Sequence, residues 1–161
     1  KLKDPAQATE RFFSRVTALA DRLGPVLFQL PPRWRVNTER LEALLQTVPE
    51  GLRYVFEFRD SSWMNDEVLD ILRRHGAAFC IFELAGYLSP VAVTAPFSYV
   101  RLHGPGEAYE GSYDDAVLSS WAAWARQREA DGIDVYIYFD NDQNAYAPAN
   151  AARLRELVHT A

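Results

Sequence analysis

The sequence has little cysteine and no long hydrophobic run. Cys80 is the only cysteine among 161 residues and lies in an apolar segment, so neither a disulfide framework nor a thiolate metal cluster can form. This usage is typical of a reducing compartment, and we expect a cytoplasmic protein. No apolar stretch approaches the ~20 residues of a membrane-spanning helix, and the N-terminal residues do not resemble a signal peptide. We therefore expect no membrane association.

An excess of positive charge is also absent. The formal net charge is −5 at pH 7, which argues against a general nucleic-acid-binding surface because phosphate binding needs a basic face. The chain is instead 48% hydrophobic and 13% aromatic, which is enough for a substantial core. We expect a single domain over residues 1–161. Because the chain starts at Lys1 without Met and almost directly in a helix, we expect it to be part of a longer protein.

Short apolar segments alternate with segments of helical periodicity. The apolar segments are bounded by Gly and Pro and predict five strands, at 26–30, 54–59, 78–83, 98–103 and 135–139. Helical patterns lie between and around them, at 4–23, 37–48, 65–75, 114–131 and from the turn containing Pro148 to 157. The segment 84–97 is predicted to be a loop or a single turn. Regular alternation of this kind predicts parallel β/α units.

Charged residues occupy alternate positions near the C-terminal ends of two predicted strands. Glu57 and Arg59 end the second strand, and Arg101 and His103 end the fourth. Such groups are costly to bury unpaired, so they must be paired or line a wet cavity. Ligands of α/β proteins bind at the C-terminal ends of the strands, and this position therefore predicts a functional site.

Side-chain alternation separates an apolar face of each strand from a face that turns polar at its end. The polar ends are Gln29, Glu57 with Arg59, Glu83, Arg101 with His103, and Asp140. A closed (β/α) barrel supplies such a face as its interior, whereas a doubly wound sheet buries both faces under helices and fits less well. Five strands cannot close a barrel that needs about eight, so we expect the missing strands to precede Lys1.

Several segments together resemble the YecE-like family, known as domain-of-unknown-function family 72. They are 23–32, 56–59 with Trp63, 99–104, and 136–139 with Asn141, Asp142 and Ala147, and they cover essentially the whole chain. The resemblance implies the C-terminal portion of a TIM-like (β/α) barrel of class α/β, with its first strands absent. Because members of the family are uncharacterised, it implies no reaction.

Two positions depart from the family pattern. Asp60 stands where members often carry His, and Asp140 stands where members often carry the first of two Asn residues. If either position takes part in binding or proton transfer, its chemistry is altered in this chain.

The strand ends supply acid, base and guanidinium groups for one site. We predict Glu57 and His103 as catalytic groups that move protons, and arginines that bind an anion. The predicted substrate-binding residues are Gln29, Arg59, Glu83, Arg101, Asp140, Asn141 and Asp142. The alternative is that the charged pairs are ion pairs that tie neighbouring strands together. Tyr109 and Tyr113, in a Gly- and Tyr-rich loop, suggest a lid.

No motif in the sequence identifies a cofactor. Oxygen and nitrogen ligands for a metal are conceivable at the strand ends, from Glu57, Glu83, His103 and Asp140. There is, however, no paired His, no HExxH and no Cys cluster, so we assign no metal site and leave the cofactor open. The segment Gly104-Pro105-Gly106 lacks the spacing of a phosphate-binding loop.

Three functions are compatible with these residues. The first is a hydrolase-like enzyme that acts on an anionic or phosphate-containing substrate at the strand ends. The second is a non-catalytic binding module for a phosphorylated metabolite or a nucleic acid, although the net charge does not support nucleic acid. The third is a scaffold in which the charged residues form a closed internal network. We expect a small anionic ligand as the partner and make no prediction of the oligomeric state.

Overall fold

The computed structural model describes residues 5–160, which fall into two compact units that meet in sequence between Ala78 and Phe79. Asp4, where the sequence predicts the first helix to begin, lies outside the described residues. Helices alternate with strands in both units, as the sequence predicts. The two units are described separately below.

The first unit contains two parallel strands. Its elements in chain order are α1 (Pro5–Val16), β1 (Val26–Leu30), α2 (Thr38–Leu45), β2 (Tyr54–Phe58) and α3 (Asp66–Arg74). Two short 3-10 turns, Thr17–Arg22 and Ser61–Trp63, follow α1 and β2. The parallel register places Gln29 opposite Glu57, so their side chains lie on the same face of this strand pair.

Side-chain caps fix where the helices of the first unit begin. Asn37 accepts a hydrogen bond from the backbone N–H of Arg40 at 2.8 Å, and Asn65 accepts one from the N–H of Val68 at 3.1 Å. These caps satisfy backbone donors that the first helical turn leaves without partners. The first predicted helix is shorter than expected, because the backbone at Ala20 turns to a φ of +47° and interrupts it.

The second unit is built around β5. Its elements are β3 (Ala78–Leu84, starting at the unit boundary), β4 (Tyr87–Leu88), β5 (Phe97–Leu102), α4 (Asp115–Ala130), β6 (Asp134–Phe139) and α5 (Tyr146–His159). β5 pairs in parallel with β3 on one side and with β6 on the other. The two-residue strand β4 pairs antiparallel with β3, in a segment where the sequence predicts only a loop or turn. Ala85 and Gly86 form this hairpin turn with positive φ angles.

The two faces of β5 carry different side chains. The register aligns Val100 with Ile137 on one face, and the following helices α4 and α5 pack against this apolar side of β6. A groove of about 560 Å³ remains between these helices and β6, lined in part by Ala125, Val135, Ile137, Phe139 and Leu154. The opposite face carries Tyr99 and, at its C-terminal end, Arg101. The predicted separation of an apolar face from a polar-ended face is therefore confirmed for β5 and β6.

Candidate functional site

Three predicted site residues meet where β5 and β6 end. Arg101 is aligned with Tyr138 in the parallel register, and two residues further along each strand His103 lies beside Asp140. Asp140 Oδ2 is 3.0 Å from Arg101 Nη2 and 3.4 Å from His103 Nδ1. One carboxylate therefore contacts both a guanidinium and an imidazole.

Burial differs among these three side chains. The His103 side chain is fully buried, whereas 18% of the Arg101 side chain and 29% of the Asp140 side chain are exposed. The imidazole faces the Asp140 carboxylate through Nδ1. The arrangement thus places an imidazole and a partly exposed guanidinium beside one carboxylate. Asp140 supplies a charge that an Asn at the same position would not.

The segment 104–113 folds back over His103. The backbone N–H of Tyr109 donates to the His103 carbonyl oxygen at 2.6 Å, and the two rings meet edge to face with centroids 5.4 Å apart. His103 also donates its own N–H to the Glu83 carbonyl oxygen at 2.9 Å. His103 is therefore held by backbone bonds on both sides and is covered by an aromatic ring.

Gly104 is the residue that allows this fold-back. Its φ is +116°, and a Cβ at this position would overlap the carbonyl oxygen of Glu110 and lie 2.9 Å from the Glu110 nitrogen. Its N–H donates to the hydroxyl of Tyr113 at 2.9 Å. A glycine is required here both by its backbone conformation and by the close approach of the loop.

Asn141 ties the same loop to α5. Its Nδ2 donates to the carbonyl oxygen of Gly111 at 2.8 Å and to Oδ1 of Asn150 at 2.9 Å. Asn150 in turn accepts from the N–H of Tyr113 at 3.2 Å and donates to the Tyr113 carbonyl and the Ser112 hydroxyl, each at 3.1 Å. The buried Oδ1 of Asn141 accepts no hydrogen bond from any residue in 5–160. Asn141 thus positions the loop and retains one unused acceptor.

Glu83 lies on the face opposite to Arg101, which corrects the expectation that all strand ends share one polar face. The register aligns Glu83 with Leu102, and its carboxylate accepts a hydrogen bond from the Tyr113 hydroxyl. Burial raises the pKa of Glu83, and the bond from Tyr113 opposes that rise. Burial likewise raises the pKa of Tyr113. The physical reason is that Phe82 pairs with Arg101 and Glu83 is the next residue along β3, so its side chain points to the opposite face.

The first unit holds a second charged pair, Glu57 with Arg59. The Nε of Arg59 and Oε1 of Glu57 form an ion pair, with 0% of the Glu57 side chain and 8% of the Arg59 side chain exposed. Gln29, on the same face as Glu57, is exposed. This sealed pair favours the structural interpretation that the sequence leaves open, and a catalytic role for Glu57 stays a prediction. The same holds for a common cavity that would include residues of both units.

Asp60 and Asp142, two other acidic residues named from the sequence, each lie at the start of a 3-10 turn. Asp60 accepts hydrogen bonds from the N–H and hydroxyl of Ser62 at 3.0 and 2.7 Å, which lower its pKa and cap the 3-10 turn after β2. Asp142 is exposed at the start of the 3-10 turn Gln143–Ala145 and makes no side-chain capping bond there. Asp60 therefore acts as a turn-forming residue, and the binding role of Asp142 is untested.

Within residues 5–160, no three His, Cys, Asp or Glu side chains form a group that could hold a metal ion. The four residues considered for a metal from the sequence are thus not assembled into such a group. In the same described part of the chain, no helix combines the length and apolarity needed to cross a bilayer.

These features define an α/β protein with polar side chains gathered at the ends of parallel strands. The profile described as "Protein of unknown function DUF72" matches residues 1–161, and the chain belongs to this family. No curated protein matches the chain. The resemblance stated from the sequence motifs is therefore confirmed.

Solved structures of the family support the same fold. A DUF72 family protein from Thermotoga maritima superimposes with a TM-score of 0.87 and 25% identity, over 97% of this chain and 66% of that chain. A DUF72 family protein from Enterococcus faecalis, solved twice, gives TM-scores of 0.82 and 0.76 with 16% and 17% identity. These matches cover 99% and 96% of this chain, and 68% and 71% of the Enterococcus chain. This chain spans about two thirds of the length of its solved relatives, and the expected partial match to a TIM-like fold is confirmed.

Sequence reasoning missed two residues that shape the site. Asn150 holds both Asn141 and Tyr113, and the available signal is an Asn in a helix interior, where its propensity is poor. The sequence suggests Tyr109 only as part of a lid, and its contact with His103 depends on the loop conformation. The positive φ of +68° at Tyr109 leaves no mark in the sequence, because Tyr rarely adopts it.

Proposed function

We propose that this chain is part of a hydrolase-like enzyme that acts on an anionic substrate, such as a phosphate ester, at the ends of β5 and β6. The observation that supports the proposal is the Asp140 carboxylate, which contacts both Arg101 and His103. A guanidinium binds phosphate or carboxylate oxygens through charge-assisted hydrogen bonds. An imidazole oriented by a carboxylate is a common general base.

Each residue has a distinct part in this proposal. The partly exposed guanidinium of Arg101 holds the substrate anion, and Asp140 keeps both Arg101 and His103 in place. His103 Nε2 takes a proton from water while the water oxygen attacks the phosphorus or carbonyl carbon of the ester. The protonated imidazole then returns that proton to the leaving oxygen. Asn141 acts through the loop that carries Tyr109, because its Nδ2 holds the carbonyl oxygen of Gly111.

The charge of the chain supports a small anion rather than a polymer. With a net charge of −5, the protein repels an extended phosphate backbone unless a basic face compensates. A single guanidinium such as Arg101 suits one phosphate or carboxylate group. We therefore favour a small anionic metabolite over nucleic acid.

A non-catalytic binding module is the second candidate. The observation that favours it is the complete burial of the His103 side chain beneath Tyr109, which hinders proton transfer to a ligand. In that case Arg101 binds the anion and His103 serves only to position Asp140. A sealed scaffold, the third possibility from the sequence, is supported by Glu57 with Arg59 but not by the partly exposed Arg101.

Turnover by variants of the full-length protein separates the two candidates. The wild type is screened against phosphate monoesters, phosphate diesters and carboxylic esters that carry a second anionic group. On an accepted substrate, His103→Ala should lower kcat by about 10²- to 10⁴-fold with little change in KM. Arg101→Met should chiefly raise KM. Arg153→Met, which removes a surface arginine on α5, is the control and should leave both constants unchanged.

The kinetic results of these variants determine the role of each residue. Undiminished turnover by His103→Ala would end its role as the base. Ligand binding without turnover in the wild type, lost in Arg101→Met, would instead establish the binding module. Full activity of Glu57→Gln would assign the ion pair of the first unit to structure alone.

A further inference from the structure

Tyr109 lies between the solvent and the buried imidazole of His103. Its side chain is 49% exposed, yet its ring packs edge to face on His103, which is 0% exposed. A ligand that approaches His103 from the side covered by this loop meets the Tyr109 ring first. The ring is therefore an exposed aromatic surface in contact with His103, a residue of the proposed site.

The loop holds this ring in a fixed place. The Tyr109 N–H bonds to the His103 carbonyl oxygen at 2.6 Å, and two residues further on the Gly111 N–H donates to Oε1 of Gln143 at 3.0 Å. The carbonyl oxygen of Gly111 accepts from Asn141. These bonds anchor the backbone on both sides of the ring to the end of β5 and to the segment after β6. Such anchoring favours a rigid platform over a swinging lid.

The backbone of Tyr109 is strained. A φ of +68° is a left-handed conformation that is unfavourable for a bulky side chain, and Asn or Gly would adopt it at lower cost. Strain of this kind persists where the surrounding structure imposes it and is concentrated at ligand-binding sites. A tyrosine at this position thus costs stability, and because the residue is half exposed, only part of its surface is buried in the fold.

We propose that Tyr109 is a substrate-contacting residue that makes the site prefer anions carried on a planar ring. This inference rests on the proposed function, because Arg101 is taken to hold the anionic group. A rigid, half-exposed tyrosine offers a flat apolar surface with little rotamer entropy to lose, and rings pack on it in stacked or edge-to-face geometry. The substrate class is then an aromatic or heteroaromatic phosphate or carboxylate.

Binding of matched ligands to the full-length protein tests this preference. Phenylphosphonate and methylphosphonate carry the same anionic group, cannot be hydrolysed as esters, and differ in the ring. Benzoate and acetate form the equivalent carboxylate pair. Dissociation constants are measured by isothermal titration calorimetry for the wild type, Tyr109→Phe, Tyr109→Asn and Arg101→Met. Melting temperatures are recorded for each variant.

The wild type should bind the ring-bearing member of at least one pair about fivefold more tightly, the size expected of one aromatic contact. Tyr109→Phe should keep this ratio. Tyr109→Asn should bring the ratio near one and leave the affinity for the ringless anion unchanged. Because Asn tolerates the left-handed backbone, this variant should also keep its melting temperature. Tyr109→Gly provides a second ring-free variant if Asn perturbs the loop.

The contrary results are distinguishable from one another. A ratio that persists in Tyr109→Asn and Tyr109→Gly, or equal losses for both members of a pair, would overturn the role of Tyr109 while leaving anion binding intact. Failure of the wild type to bind any of the four anions would overturn both this inference and the proposed function. Binding that survives Arg101→Met would remove Arg101 from the site.

Discussion

The two units of this protein each place an arginine beside a carboxylate near the end of a parallel strand, but in different surroundings. Glu57 and Arg59 are 0% and 8% exposed, whereas Arg101 and Asp140 are 18% and 29% exposed. An ion pair that is sealed from water fixes the positions of its two side chains, and replacing either partner with a ligand costs much free energy. A partly hydrated pair can exchange one partner for a ligand. Solvent access, rather than residue type, therefore distinguishes a structural pair from a candidate binding pair.

The two pairs also differ in how they are assembled. Glu57 and Arg59 are two residues apart on one strand, so strand geometry alone brings them to one face. Arg101 and Asp140 come from neighbouring strands and meet because β5 and β6 pair in a particular register. The second arrangement gathers groups that are distant in sequence, including His103. It can therefore combine a base, an anion-binding group and a shared carboxylate.

The largest expected effect is the loss of stability when the sealed pair is broken. Arg59→Met removes a guanidinium that neutralises the buried Glu57 carboxylate and should lower the free energy of unfolding by about 3–5 kcal/mol. Arg101→Met breaks the partly exposed pair and should cost under about 1 kcal/mol. Urea denaturation of both variants measures the difference.

A double variant controls for packing. Glu57→Gln combined with Arg59→Met removes both charges and should recover much of the lost stability, since the penalty comes from a buried charge that has lost the Arg59 guanidinium. Equal losses for Arg59→Met and Arg101→Met would show that burial does not distinguish the two regions.

The five parallel strands and the two faces of β5 and β6 were predictable from the sequence because they depend on local periodicity. The strand Val26–Leu30 has the predicted bounds, and the other strands differ from prediction by one residue at some ends. The placement of Arg101 and Asp140 on one face follows from period-two alternation together with parallel pairing. These features need no knowledge of loop conformation.

The parts that escaped prediction depend on register and on unusual backbone angles. The expectation that Glu83 shares a face with Arg101 is wrong because the alternation within β3 does not reveal which of its residues pairs with Arg101. The hairpin that adds β4 turns at Ala85, whose left-handed φ is uncommon for alanine. The contact of Tyr109 with His103 likewise depends on a tyrosine with positive φ.

The next largest effect is expected at Gly104, in the loop that covers His103. Gly104→Ala forces a Cβ into the Glu110 backbone and fixes a residue at a φ of +116°, which should cost about 2–3 kcal/mol. The matched control is Gly132→Ala, which also has a positive φ but no atom within 4 Å of its Cβ, and should cost about 1 kcal/mol. Thermal unfolding compares the two, and similar losses would mean that the close approach at Gly104 carries no extra cost.

A smaller effect is expected when the partly exposed pair loses its own carboxylate. Asp140→Asn removes the charge that competes with a ligand for Arg101, so the affinity for phosphonate should rise about fivefold, within the range of one exposed ion pair. Asp142→Asn removes an exposed charge two residues away and should change the affinity less than about twofold by comparison. Calorimetric titration measures both. A weaker affinity in Asp140→Asn would contradict the prediction and show that the positioning of Arg101 by Asp140 outweighs its competition with the ligand.

The smallest expected effect concerns Glu83, whose partial burial makes it intermediate between the two regions. Burial raises its pKa above the ordinary 4.5, so the folded chain retains a proton that the unfolded chain has lost. Stability from this group is therefore greatest below the ordinary carboxyl pKa and falls as the pH rises through the raised value.

Glu83→Gln keeps an acceptor for the Tyr113 hydroxyl but does not ionise. The difference between the melting temperature of Glu83→Gln and that of the wild type should therefore be more positive at pH 7 than at pH 4. Glu129→Gln, at an exposed position of α4, is the control. An identical pH dependence of the melting temperature in Glu83→Gln and wild type would show that Glu83 contributes to stability like a freely hydrated carboxylate.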